Sequence, residues 1–214
     1  MGSNMNYTYN GKEYEKIVFD VGANNGSSSV PLAIANPTHL IFAFEPTPEM
    51  IEVIQSKIVG LENYVIVPKA VSDYNGTAEF NVAGNWDWGC SSLLKFSKKS
   101  QTDWPGRTDF HVTYKLNVDV IRLDTFIEEN GITKIDHLHI DTQGSDLNVM
   151  KGLGEYLHIV NEGKMEAGTS DDVLYEGQNK LNDCIKFLLL NGFKVVDVNS
   201  NDVFCHEVNI VFKK

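Results

Sequence analysis

Four residues at alternate positions carry the strongest chemical signal in the chain: Asp20, Gly22, Asn24 and Gly26, within Asp20-Val21-Gly22-Ala23-Asn24-Asn25-Gly26. Two glycines permit a tight turn and let backbone come close to a ligand. A helix starting near Ser27 would add free N–H groups at the same place. Pyrophosphate binding needs a glycine where this run has Asn24, so the loop suits a ligand without pyrophosphate, touched by backbone and by Asn24 and Asn25. Hydride transfer from a nicotinamide dinucleotide is disfavoured on the same ground. Glu45 follows 19 residues after Gly26, where a carboxylate can accept both hydroxyls of a ribose.

A second group lies further along, in Ile135-Asp136-His137-Leu138-His139-Ile140-Asp141. In a strand, residues two apart share a face, so His137, His139 and Asp141 point one way. His139 with Asp141 is a candidate general base, worth about 10²–10⁴ in rate for a hydroxyl nucleophile. Gln143 and Glu166 are candidate partners for an acceptor's hydroxyls. Trp86 and Trp88, framed by Gly84 and Gly89, are candidates for a flat platform against the C–H face of a sugar. The opposing reading anchors these tryptophans in the core. Lys95, Lys98 and Lys99 read as a solvated face.

The elements that must position these groups are legible from pattern. Ile17–Val21, Leu40–Phe44 and Tyr64–Val67 read as buried strands. The segments between them read as helices, over Ser27–Ala35 and from Pro48 with Thr47 as N-cap. This β-α-β-α-β order predicts a parallel sheet with right-handed crossovers. Further strands are predicted over Thr77–Val82, Val118–Leu123, Ile135–Ile140, Ile159–Met165, Phe193–Val198 and His206–Phe212. Asp124 is expected to cap a short helix that Gly131 ends. Leu181, Cys184, Ile185 and Leu188 mark an amphipathic helix. Residues 83–108 read as a long surface loop or lid.

Composition narrows the function classes. The 214 residues carry 18 basic and 29 acidic side chains, a net charge of −11, which argues against a nucleic-acid partner. Length is compatible with one domain over residues 1–214, residues 1–4 reading as an added leader before Met5. Three separated cysteines form neither a disulfide framework nor a zinc spacing, which suggests a reducing compartment. No apolar run approaches the ~20 residues of a membrane span, and the polar N-terminus lacks a signal-peptide core. A cytoplasmic location and no membrane insertion are therefore expected. Two acids near the glycine turn, without a neighbouring Lys or Arg in sequence, favour a cationic nucleoside. S-adenosylmethionine, with ammonium and sulfonium centres, meets that description.

Phe19–Gly26, Phe44-Glu45-Pro46-Thr47-Pro48, Ala70–Asp73 with Gly76, Leu123-Asp124 and Ile135–Gly144 together resemble the FkbM-type methyltransferases, in family order over about residues 17–170. The resemblance implies a three-layer, Rossmann-like class I fold with a mostly parallel seven-stranded sheet. It also implies an S-adenosylmethionine-dependent O-methyltransferase acting on a sugar hydroxyl, with a glycan or glycoconjugate as partner. Carried over by position, Asp20, Gly22, Asn24 and Gly26 would line the methionine part of the cofactor, and Asn25, Ser27 and Pro46 would also be cofactor-binding. Glu45 would hold the ribose, Ala70 and Val71 would border the adenine, and Asp141 would face the sulfonium and the acceptor. Two departures stand out: His139 replaces a usual lysine, and Gln143 replaces a usual glutamate. Asp141 and Glu166 alone are too few oxygen ligands for a divalent ion, so a metal is disfavoured. Methylation of a carboxylate or amine, and nucleoside binding without catalysis, remain the alternatives.

Overall fold

The computed structural model describes residues 6–84, 88–104, 106–169, 174–200 and 206–214. A hairpin opens the chain, β1 (Tyr7–Tyr9) and β2 (Lys12–Tyr14). It is followed by β3 (Lys16–Val21), α1 (Ser29–Ala35), β4 (His39–Phe44), α2 (Pro48–Lys57), β5 (Tyr64–Val67) and β6 (Ala70–Val71). The middle comprises β7 (Gly76–Ala83), α3 (Ser100–Asp103), β8 (Val112–Ile121), α4 (Leu123–Asn130), β9 (Ile135–Ile140) and α5 (Asp146–Gly152). The chain ends with β10 (Val160–Gly168), α6 (Leu181–Leu190), β11 (Lys194–Ser200) and β12 (Glu207–Lys213).

Seven strands form the main sheet in the order β11-β12-β10-β9-β3-β4-β5. The run from β10 to β5 is parallel, and β12 lies antiparallel to both its neighbours. Helices on both faces explain why β3 and β4 are apolar on both sides. One face buries Phe19, Phe42 and Phe44 against Phe126 of α4, with ring centroids 4.9–5.8 Å from that residue. The opposite face packs Val18, Ile41 and Ala43 against Val30 and Ala33 of α1 and Ile54 of α2. The C-terminal ends of β3, β4 and β9 therefore meet at one rim, which is where open α/β sheets bind ligands.

Several sequence expectations change here. Asp124 is not the N-cap of its helix: Arg122 occupies that position and its guanidinium pairs with the Asp124 carboxylate at 2.9 Å. Thr47 caps α2 by backbone position but gives it no side-chain hydrogen bond. Residues 83–108, read as a surface loop, contain a 3-10 turn at Trp88–Cys90 and the short α3. Cys90 and Trp104 from this region, with Phe110 just beyond it, are buried with Leu174 and Tyr175 in a small core of their own. Hydrophobic burial, rather than hydrogen bonding alone, holds the segment against the molecule. A second sheet, β6-β8-β7, meets it through the paired backbones of Asn81 and Ser92. Among the described residues no helix is long and apolar enough to cross a membrane.

Phe126 touches three aromatic rings of two central strands, so Phe126→Ala is expected to cost about 3–5 kcal/mol. Urea denaturation checks this, and a loss below about 1 kcal/mol would mean that the layer does not depend on that ring.

Candidate active site

The turn after β3 is built by backbone. Gly22 and Ala23 both donate to Phe44 O at 3.0 Å, and Asp141 N donates to Val21 O at 2.9 Å. Gly22 has φ +84°, and a Cβ there would lie 2.0 Å from Asp141 O. That glycine lets the exits of β3 and β9 touch. Gly26, at φ +72°, serves packing instead: a Cβ would press on Val30 Cγ2 at 2.8 Å and Ile54 Cγ1 at 3.2 Å. Asn24 lies in the left-handed region, φ +50°, a conformation that asparagine tolerates better than most residues.

Glu45, 5 % exposed, ties this turn to the next. Its Oε2 accepts from Asn24 N and its Oε1 from Thr47 N, both at 2.8 Å. Burial pushes its carboxyl up to about 7, against the lowering effect of the Thr47 and Asn24 bonds. Each oxygen can accept a further hydrogen bond. Asn24 Oδ1 is buried without a partner among the described residues, so a ligand ammonium or hydroxyl would satisfy it.

These groups line a cleft open to solvent, whose walls include Gly22, Asn24, Glu45, Pro46, Ala70 and Val71. Asp141, Gln143 and Ser145 close the side nearest β9. Phe80 and Leu93 supply apolar surface, and Gly89 and Ser91 bring residues of the 83–108 region to the rim. Sequence reasoning named Gly89 as part of the tryptophan loop but missed the other three, since nothing local marks a residue that reaches the cleft only by folding back. It also missed Lys69, which lines the cleft although no cation was expected near the two acids. An adenosyl group carrying an ammonium fits this set: acceptor atoms at Glu45 and Asn24, with apolar walls opposite.

Not every expected residue meets there. Asn25 Oδ1 accepts from Ser27 N at 2.9 Å and its carbonyl from Lys57 Nζ at 2.7 Å, so with Gly26 and Ser27 it shapes the turn from outside the cleft lining. His139 and Asp20 lie in a separate groove with Ser28, His137 and Lys164. His139 Nδ1 is 2.7 Å from Asp20 Oδ1. Burial lowers its pKa, but the bond to Asp20 and the charges of Asp20 and Asp141 outweigh this and raise it overall. The structure therefore places His139 and Asp141 in different hollows, although their charges still act on each other. Trp86 lies outside the described residues, as does the side chain of Trp88.

Behind Asp141 stand two more carboxyls. Asp146 is fully buried; its Oδ1 accepts from Thr142 N and Oγ1 at 3.0 and 2.6 Å, and its Oδ2 from Glu166 N at 2.7 Å. Burial, then the charge of Asp141, push Asp146 up to about 7. Burial likewise raises Asp141 and Glu166, and the acids around Glu166 raise it further. Glu166 is buried beside this cluster rather than among the residues lining the cleft. Among the described residues no group of three or more His, Cys, Asp or Glu is arranged to hold a metal ion.

With this geometry in hand, three comparisons bear on the chain. The family model described as Methyltransferase FkbM domain matches residues 20–195. The 2-O-methyltransferase NoeI of Sinorhizobium fredii (strain NBRC 101917 / NGR234) is 28 % identical over 188 residues, 85 % of this chain and 74 % of that protein. Two solved structures share the fold at 10 % identity and a TM-score of 0.50. One is Streptococcus mutans SMU.1697c in complex with SAH, covering 94 % of this chain and 89 % of that one. The other is M. capricolum TrmK with S-adenosylhomocysteine, covering 93 % and 62 %.

The raised carboxyls set a pH dependence. Glu45 and Asp146 titrate near 7 when folded and near about 4 when unfolded. The folded chain binds more protons between those values, so their stabilisation is full below about pH 4 and is lost as pH rises through about 7. The thermal midpoint of the cofactor-free protein is expected to fall from pH 5 to pH 8, and Glu45→Gln should flatten the slope. A midpoint that rises over this range would show both carboxyls ionised throughout.

Proposed function

The chain belongs to the FkbM methyltransferase family and is an S-adenosylmethionine-dependent methyltransferase, and we propose that it methylates a sugar hydroxyl of a glycan or glycoconjugate. The observation that carries the reading is a single cleft with Glu45 on one wall and Asp141 on another. The relative's name, a 2-O-methyltransferase, supports an oxygen acceptor, and the sugar follows from the motif resemblance. We read residues 1–214 as one methyltransferase domain.

When bound, S-adenosylmethionine supplies an electrophilic methyl group on a positively charged sulfur. The chain's own residues then have distinct tasks. Glu45 holds the ribose hydroxyls with the lone pairs that Asn24 and Thr47 leave free. Gly22 and Asn24 border the methionine part, and Asn24 Oδ1 receives a donor from it. Ala70, Val71, Phe80 and Leu93 flank the base. Asp141 accepts the proton of the acceptor hydroxyl at its own carboxylate, and burial makes that carboxylate more basic than usual. Gln143 orients it by donating from Nε2 to Asp141 Oδ1 at 2.5 Å. His139, held by Asp20, supports the floor of the site and takes no proton from the acceptor.

Three measurements test this. Methyl transfer from labelled S-adenosylmethionine to a panel of hydroxy- and deoxy-sugar glycosides is expected to give a product heavier by one methylene; carboxylate or amine acceptors used in preference would overturn the sugar assignment. Glu45→Gln is expected to weaken S-adenosylhomocysteine binding by roughly 10–100-fold in calorimetric titration, the loss of a charged hydrogen-bond acceptor. Asp141→Asn is expected to lower kcat by about 10²–10⁴ with cofactor affinity unchanged, while His139→Gln keeps kcat within about tenfold. A larger kcat loss in the histidine variant than in the aspartate variant would exchange their roles.

A further inference from the structure

We propose that Tyr175 is a positioning residue that acts on Asp141 through the carboxamide of Gln143. The inference rests on the reading of Asp141 as the proton acceptor.

Tyr175 is 1 % exposed. Its ring stacks on Phe96, with centroids 5.1 Å apart and planes at 22°. A Cβ on Gly144 would approach Tyr175 Cδ2 at 3.1 Å, so the ring is keyed against the turn that follows β9. Its hydroxyl lies 2.8 Å from Cys90 O and 2.9 Å from Gln143 Oε1. Both neighbours are carbonyl oxygens, so the hydroxyl's single hydrogen is shared between them.

The Tyr175 hydroxyl and the Asp141 carboxylate together hold the Gln143 amide. Its oxygen takes the hydroxyl on one side, and its Nε2 donates to Asp141 at 2.5 Å on the other. The backbone of Gln143 is itself held in the left-handed region at φ +54°, a conformation that surrounding contacts must sustain. A donor on a carboxylate favours its ionised form, the form that can take a proton. Without the tyrosine hydroxyl, the amide is free to turn over. Its oxygen would then face Asp141, and the carboxyl would keep its proton to donate to that oxygen.

Other charged groups also face Asp141: Asp20 on β3, His139 on β9, Lys164 and Glu166 on β10, and Asp146 on α5. Tyr175→Phe changes none of them, so an altered titration of Asp141 in that variant reports on the amide. The sign follows directly. Losing the donor raises the Asp141 pKa, and the acid limb of the pH–rate profile moves to higher pH.

The test is a double-variant cycle on the full chain. Tyr175→Phe is expected to move the acid limb of kcat/KM upward by about one pH unit, equivalent to a tenfold loss on that limb. The loss should recover at alkaline pH, with S-adenosylhomocysteine affinity within twofold of wild type. Gln143→Met, which removes the donor and keeps the shape, is expected to move the limb equally, and the double variant no further. A titration of 13C-labelled aspartate by NMR should show the same rise at Asp141 without any turnover. That titration separates the two readings, because Asp141→Asn tests the base assignment by turnover alone. An unmoved limb and an unmoved Asp141 titration in Tyr175→Phe would overturn the inference. So would additive shifts in the double variant, or a turnover loss equal at every pH. If Tyr175→Phe does not fold, 3-fluorotyrosine placed at 175 is a stronger donor of nearly the same shape. It should move the limb the opposite way, and failure to do so would also overturn the proposal.

Discussion

One buried carboxylate holds one side of the cleft together. Glu45 takes the backbone N–H of Asn24 with one oxygen and that of Thr47 with the other. The glycine turn and the start of α2 come from different strand exits, and neither loop has a repeating hydrogen-bond ladder. A charge can stay buried only where such donors surround it. The constraint works in both directions: the donors keep the carboxylate in place, and the carboxylate keeps the donors from turning to solvent. Asp146 does the same on the far wall, joining Thr142 to the backbone of β10. The rim of the sheet is thus fastened at two points by acids whose own ionisation is made costly by burial.

The row of polar residues on β9 shows how strand pairing divides labour. His139 and Asp141 are two residues apart and share a face, yet they belong to different chambers. Register decides this. His139 lies opposite Asp20 of β3, and the pair closes on itself, whereas Asp141 stands one step beyond the last rung, where the strand ends and the cleft begins. Two residues with the same periodicity acquire different surroundings because only one of them has a strand beside it.

The same reasoning explains which features were readable from sequence. Ile17–Val21 and Leu40–Phe44 were legible because strands covered on both faces are apolar at nearly every position. Glu45 was legible because a strand exit followed by a proline-started helix leaves few places for an acid to stand. The opening hairpin was not read, although Asn10-Gly11 is a strong two-residue turn signal and both residues have positive φ. The polar composition around them obscured the tyrosines that fasten the hairpin, among them Tyr9, edge-on to Phe42 at 5.4 Å. Tyr175 and Lys69 carried no local mark at all. Tyr175 reaches Gln143 across 32 positions of chain, and such contacts exist only in the folded molecule. Gly26 was read for ligand approach, but its missing side chain makes room for Val30 and Ile54.

The strand order has a consequence for biosynthesis. The two strands at the centre of the sheet, β3 and β9, are paired across more than a hundred residues of chain. The turn after β3, which lines one side of the cleft, is therefore translated long before Asp141, and it has no opposite wall in the meantime. A ribosome-bound chain shorter than residue 141 lacks part of the cleft, so no ligand of that cleft can act as a full folding template during the first two thirds of synthesis. Early compaction must draw on nearby partners, such as the β3–β4–β5 run and the β7–β8 ribbon. Loop-closure entropy makes the central pairing a slow step.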